Sequence, residues 1–286
     1  MKEIHGEARS VAEILKGAKY TIDYYQRDYK WEEKQLRELI DDLSEQFLDA
    51  YDPTHQREAV QTYPFYFLGS IVISEKGAQR FIVDGQQRLT TLTLLLTYLR
   101  KLQNGHQEPN IDELILSNAF GKKSFNLDVE DRVACMTALF EGEEFNPSPA
   151  DSDSVRNLVD RYDDIGELLP EQIQGAALPY FIDWLQYRVK IIQITAYSDD
   201  DAYTIFETMN DRGLQLRPVD MLKGYLLAGI GEDARRPAAD LWRHRIHELA
   251  SLGKEFDADF FKAWFRSQYA ETIREGRKGA VPMDYE

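Results

Sequence analysis

The chain has 286 residues, 43% of them hydrophobic, with a formal net charge of −16 and an isoelectric point near 4.8. This allows one large domain or two modest ones with an ample core. It works against broad, non-specific contact with a nucleic-acid backbone, so contact with DNA or a nucleotide has to come from a local basic pocket. One cysteine, Cys135, excludes an intramolecular disulfide; the most apolar run, Leu92–Leu99, is too short for a membrane span, and the N-terminus has no apolar signal core, so a soluble cytoplasmic protein is expected.

Residues up to about Arg9 read as a loose lead-in. Ser10 with Glu13 three residues on forms a capping box for a short helix. Tyr20 to Tyr25 is aromatic and β-branched, which favours a strand, and it ends in a polar and aromatic turn from Gln26 to Trp31. From Trp31 to Ala50 the apolar positions Leu36, Leu39, Ile40, Leu43, Phe47 and Leu48 follow a helical stripe. Phe65–Ile73 and Arg80–Val83 read as the two strands of a hairpin.

The chain then turns at Asp84-Gly85 into a long apolar helix, with Leu89, Leu92, Leu96 and Leu99 at helical spacing, running to about Leu102 and closed by Asn104-Gly105. Asn110 to about Tyr187 reads mainly as helices with polar joints. Within it, the acidic stretch Glu141–Glu171 reads as a solvated connector. Tyr187–Thr195 alternates and is β-branched, which predicts a strand arriving late; a helix start follows at Ser198. Pro218 and Asp220 open a further helix, and the chain beyond Gly229–Pro237 reads as helical to about Ile273.

Three clusters carry more chemistry than structure alone requires. At Asp84-Gly85-Gln86-Gln87-Arg88, a strand-to-helix turn gathers free backbone N–H groups and the positive end of the helix dipole, which suits an anion such as a phosphate. Two readings of Asp84 stand: an N-cap whose capping box is completed by Gln87, or a general base or magnesium ligand beside an Arg88 that neutralises phosphate. The second cluster runs from Phe206 to Leu214 and on through Arg217 to Lys223; a helix end and a fresh start explain its glycine and proline but not its charge density. The third, Tyr25 to Trp31, also reads as a polar turn whose aromatics anchor the next helix.

Several familiar machines are absent from the sequence. It holds no Walker-type phosphate loop, no paired-cysteine zinc site, no Gly-x-Ser-x-Gly elbow and no nuclease motif. His244 and His247 share a helix face but lack a third ligand in sequence reach, which makes them a surface pair.

Taken in order, Tyr-Gln-Arg-x-Tyr-x-Trp at 25–31, Phe-Leu-Gly-Ser-Ile at 67–71, Asp-Gly-Gln-Gln-Arg at 84–88 and Phe-Glu-x-x-Asn-x-Arg-Gly at 206–213 resemble the DGQQR family of GmrSD-like N-terminal domains. The resemblance extends from about Val11 to Lys223. It implies an α+β fold, with a small ParB-like mixed sheet core, a helical insertion and a helical C-terminal part. It also implies binding and hydrolysis of a nucleoside triphosphate with Mg2+, inside bacterial systems that restrict modified phage DNA.

Carried over by motif, Asp84 and Arg88 are the expected catalytic residues, with Asp84 also the metal ligand. Gln26, Arg27, Gly85, Gln86, Gln87, Asn210, Arg212 and Lys223 make up the expected nucleotide-binding set. Positive charge on the phosphates and an oriented water are what such hydrolysis requires, and Arg27, Arg88 and Arg212 with Asp84 have the matching chemistry. The expected partners are a nucleoside triphosphate, modified DNA and a histidine-type nuclease domain, C-terminal or separate; homo-oligomerisation is left open.

The expected domain plan is a core at 1–105, a helical insertion at 106–186, a returning strand and helices at 187–230, and a helical tail at 231–286 that reads as cut from a longer chain. The competing expectation is a non-catalytic module that binds nucleotide or modified DNA and controls a partner nuclease.

Overall fold

The structure, a computed structural model, describes residues 5–22, 28–76, 79–105, 108–119, 121–149, 151–196, 218–228, 230–253 and 256–269. Two compact units divide them: one holds the described residues up to 196, the other those from 218 onward. The first unit begins with β1 (His5–Ser10), α1 (Val11–Leu15), β2 (Tyr20–Ile22), α2 (Glu33–Ala50), β3 (Tyr66–Lys76), β4 (Gln79–Asp84) and α3 (Gln86–Leu102). It continues with α4 (Asp112–Ile115), β5 (Leu116–Ala119), β6 (Lys122–Phe125), β7 (Leu127–Asp128), α5 (Val133–Glu141), α6 (Asp153–Leu168), α7 (Glu171–Gln174), α8 (Leu178–Tyr187) and β8 (Val189–Ala196).

Six strands form one mixed sheet in the order β1-β8-β3-β4-β2-β7. β3 pairs antiparallel with β4 and parallel with β8, while β2 is parallel to β4. The fold is therefore a mixed α/β one, with the expected late strand inserted between β1 and β3. Strand β1 corrects the expected lead-in: His5 to Ser10 pair residue for residue with Thr195 to Lys190. These residues are mostly exposed and carry no apolar alternation, so their strand character comes from the free edge of β8. The capping box at the start of α1 is present, with Ser10 Oγ accepting from Glu13 N at 3.2 Å and Glu13 Oε2 from Ser10 N at 2.6 Å. The Ser10 backbone N–H, and after it the Ser10 hydroxyl, hold the Glu13 carboxyl below its ordinary range.

Helix α3 runs through the middle of the unit. Leu89, Leu92, Leu94, Leu95, Leu96 and Leu99 are all fully buried, and so are most of its threonines. A helix apolar on all sides belongs in a core. Thr91, Thr93 and Thr97 are tolerated there because each hydroxyl donates to the carbonyl four residues earlier, at 2.8–2.9 Å. Cys135 on α5 is also buried, and burial pushes its thiol up to about 12.

Two further expectations need correction. The region read as mainly helical contains three short strands: β7 joins the main sheet at its edge, and β5 and β6 form a separate hairpin. The segment read as a solvated connector contains α6, which begins at an N-cap where Ser152 Oγ accepts from Val155 N. Acidic residues occupy its outer face, but Val155, Leu158, Tyr162 and Ile165 are buried at helical spacing and belong to the core.

The second unit shows three helices among its described residues: Pro218–Ala228, Glu232–Leu252 and Phe256–Tyr269. The first opens at Pro218 as expected; the second starts before Pro237 and contains it. His244 and His247 are exposed on that helix, with His244 Nε2 3.4 Å from Glu248. No described helix is long and apolar enough to cross a membrane.

Replacing Leu95, which has no exposed surface, by Ala removes core contacts of α3. The expected loss is about 2–5 kcal/mol of unfolding free energy, read as a lower denaturant midpoint at unchanged slope.

Candidate functional site

The turn after β4 is shaped by two close approaches. Gly85, with φ +89°, occupies the N-cap position of α3, and a Cβ there would lie 2.6 Å from Ile71 Cγ2 and 3.2 Å from Ile71 Cα. Only glycine fits both the left-handed backbone and the contact with β3. The cap reading of Asp84 is thereby overturned: Asp84 ends β4, opposite Val72, and α3 has no side-chain N-cap hydrogen bond. What is left at that point is a half-buried carboxylate beside the first-turn N–H groups of a 17-residue helix.

One turn along, Arg88 folds back onto β3. Its Nη1 donates to the Ser70 carbonyl, and its guanidinium lies against Gly69, where a Cβ would come within 3.1 Å of Cζ and Nη2. Gly69 has φ +102° and falls in an irregularity of the β3–β8 register between Phe67 and Ser70. Burial lowers the Arg88 pKa, an effect opposed by the Asp84 carboxylate and by Tyr66. An arginine stays charged through such a shift, so the site keeps a cation next to its carboxylate. At the start of β3, burial pushes the Tyr66 phenol up to about 12, and its hydroxyl donates to Asp42 at 2.9 Å.

Gln86 and Gln87 are buried. The Gln87 amide is committed to the chain just before α2: Oε1 accepts from Lys30 N at 2.8 Å and Trp31 N at 3.2 Å, and Nε2 donates to the Asp28 carbonyl at 2.9 Å. Tyr29 is anchored from the same helix. Its hydroxyl donates to Thr91 Oγ1 at 2.8 Å, since that oxygen's own hydrogen goes to the Gln87 carbonyl. Burial pushes the Tyr29 phenol up to about 12.

Helix α6 holds the other side of this loop. Ser154 Oγ accepts from Tyr29 N, Asn157 Nδ2 donates to Tyr29 O at 2.9 Å, and Arg161 Nη1 donates to Trp31 O at 3.3 Å. These three residues escape a reading that takes their segment as solvent-facing. The visible signal was the cap at Ser152 followed by apolar residues at 155, 158, 162 and 165.

The structure thus brings the 67–71, 84–88 and 28–31 segments into one assembly. Ile22, the last described residue of β2, is level with Ile82 on the parallel β4, two residues short of Asp84. Gln26 and Arg27 of the expected set lie outside the described residues, as do Asn210 and Arg212. Lys223 is half-buried in the helix Pro218–Ala228 of the second unit. Among the described residues no group of three metal-ligating side chains occurs. The donor set at the turn, a single carboxylate, suits a cation that arrives with phosphate oxygens and water as its other ligands rather than one caged by protein.

The model of the GmrSD restriction endonuclease N-terminal domain family matches residues 11–227, which includes all four motifs. No curated protein matches the chain.

Replacing Gln87 by Leu keeps a buried side chain of similar size but removes all three bonds to the loop. A loss of about 1–3 kcal/mol is expected, together with faster tryptic cleavage after the exposed Lys30 than in the unmodified protein. Unchanged cleavage would show that the loop is held without Gln87.

Proposed function

The chain belongs to the GmrSD restriction endonuclease N-terminal domain family, and from that premise we propose that it is the nucleoside-triphosphate-binding and hydrolysing domain of a system that restricts modified DNA. The observation that carries this reading is the turn at Asp84-Gly85. There a half-buried carboxylate, a half-buried arginine and the N-terminal end of a rigid core helix meet within five residues.

The N-terminal end of α3 faces the phosphate oxygens through the Gln87 and Arg88 N–H groups, with the helix dipole adding to the attraction. Asp84 orients the attacking water or takes its proton. Arg88, held in place by Ser70 and Gly69, keeps positive charge near the phosphates. Magnesium would come with the substrate, with Asp84 as the protein residue that would hold it, and would supply positive charge to the phosphates. Gln87 acts indirectly, by fixing the loop that follows Gln26 and Arg27. Asn210, Arg212 and Lys223 remain the proposed remainder of the nucleotide set, and a histidine-type nuclease domain is the proposed partner.

A second reading is favoured by one observation: Gln87 and Arg88 already have partners within the fold. In it the turn binds nucleotide or modified DNA as a switch and does not turn substrate over.

Phosphate release from triphosphates with magnesium separates the two. The triphosphatase reading expects turnover that falls about 10²–10⁴-fold in Asp84→Asn, with little change in melting temperature. Wild-type turnover in that variant would remove Asp84 from catalysis. Binding seen as a raised melting temperature, with no phosphate released, would favour the switch.

A further inference from the structure

At the starts of β3 and β8, one face of the sheet carries two exposed rings beside two cations. Phe65 and Phe67 are 57% and 60% exposed. Residues two apart on an extended strand share a face, about 7 Å apart. Phe67 pairs with Lys190 across the parallel β3–β8 ladder, Tyr66 with Val189, and Tyr66 N donates to the Arg188 carbonyl, so Phe65 falls beside Arg188. The Arg188 Cζ lies 3.5 Å from the Phe65 ring centroid, and Lys190 Nζ lies 5.5 Å from the same ring.

The charge at this spot runs against that of the chain. Arg188 Nε donates to the Tyr63 carbonyl at 2.8 Å, and no carboxylate among the described residues is within ion-pair distance of its guanidinium. Lys190 is 3.7 Å from Glu13, whose carboxylate is engaged more closely by the Ser10 backbone N–H. Tyr66, between the two phenylalanines, points to the other face and bonds Asp42 of the acidic helix α2 there. In a protein of net charge −16, this is a cationic and aromatic spot with one acid beside it, Glu13 near Lys190.

We propose that this array is a stacking surface for unpaired nucleotides of a nucleic-acid strand. Bases in a duplex are closed off from a protein ring, whereas unpaired bases stack on sheet-surface aromatics and on guanidinium planes. The Arg188 plane over Phe65 and the ring of Phe67 are two such platforms in sequence along one strand. Lys190, between them, meets the phosphate that links the two bases. A protein partner would use the rings but has no need of two cations in register with them. The inference stands apart from the triphosphatase reading, since none of these residues belongs to the Asp84 turn.

The test is fluorescence anisotropy of a labelled oligothymidine with the full chain across a salt series, beside the same strand paired with oligoadenosine. The single strand is expected to bind more tightly than the duplex. Phe65→Ala and Phe67→Ala each weaken binding about tenfold, and Phe67→Tyr restores it. Arg188→Ala and Lys190→Ala each flatten the salt slope by about 0.7. Phe65 and Phe67 are exposed, so in their variants melting temperatures and triphosphate turnover stay at the wild-type values. Failure of the wild-type chain to bind the strand, equal affinity for the duplex, or undiminished binding by the double alanine variant (Phe65→Ala with Phe67→Ala) would each overturn the proposal. So would self-association in sedimentation that is lost in the double alanine variant while strand binding is not, which assigns the rings to a second copy.

Discussion

Two backbone approaches at the start of α3 fix most of what the first unit can do. Gly85 lets β4 pass into the helix hard against Ile71, and Gly69 lets the guanidinium of Arg88 lie on the backbone of β3. A side chain at Gly85 would push strand and helix apart, and one at Gly69 would displace the Arg88 guanidinium. The motif at 67–71 and the motif at 84–88 are therefore two halves of one joint. Asp84 owes its position to that joint: it ends a strand whose neighbour and whose outgoing helix are both locked.

The rigidity behind the joint comes from α3 itself. Its leucines are buried on all sides, and its threonine hydroxyls are satisfied within the helix, so it has no soft face on which to shift. From that axis Gln87 and Thr91 reach the 28–31 loop, and α6 grips the loop's other side through Ser154, Asn157 and Arg161. A disturbance at the turn is thus transmitted to the loop by side chains on a single helix turn. This is the physical content of finding the motifs in a fixed order along the chain.

Much of this was legible in the sequence, for reasons that differ by element. The limits of α3, the β3–β4 hairpin and the late strand β8 follow from strong periodicity. The Ser10 capping box follows from two residues at fixed spacing. Two readings of Asp84 stood because Asp followed by Gln three residues on also satisfies a capping box; the left-handed backbone of Gly85, set by its contact with Ile71, removes the cap reading. The edge strand β1 was hidden because its pairing comes from β8 and not from its own residues. Helix α6 was hidden because net charge over 141–171 masked an apolar stripe of four residues. The role of Gln87 was beyond sequence reasoning, since its partners are backbone groups more than fifty residues away.

The account makes the Asp84 turn and the 28–31 loop one nucleotide-responsive assembly. The most direct measurement is amide hydrogen exchange over both segments, with and without a magnesium–triphosphate complex. Joint protection of the amides at 85–88 and of Lys30 and Trp31, lost in Asp84→Asn or reduced at the loop in Gln87→Leu, is the predicted result. Exchange unchanged at 85–88 while the protein binds the triphosphate elsewhere would contradict it.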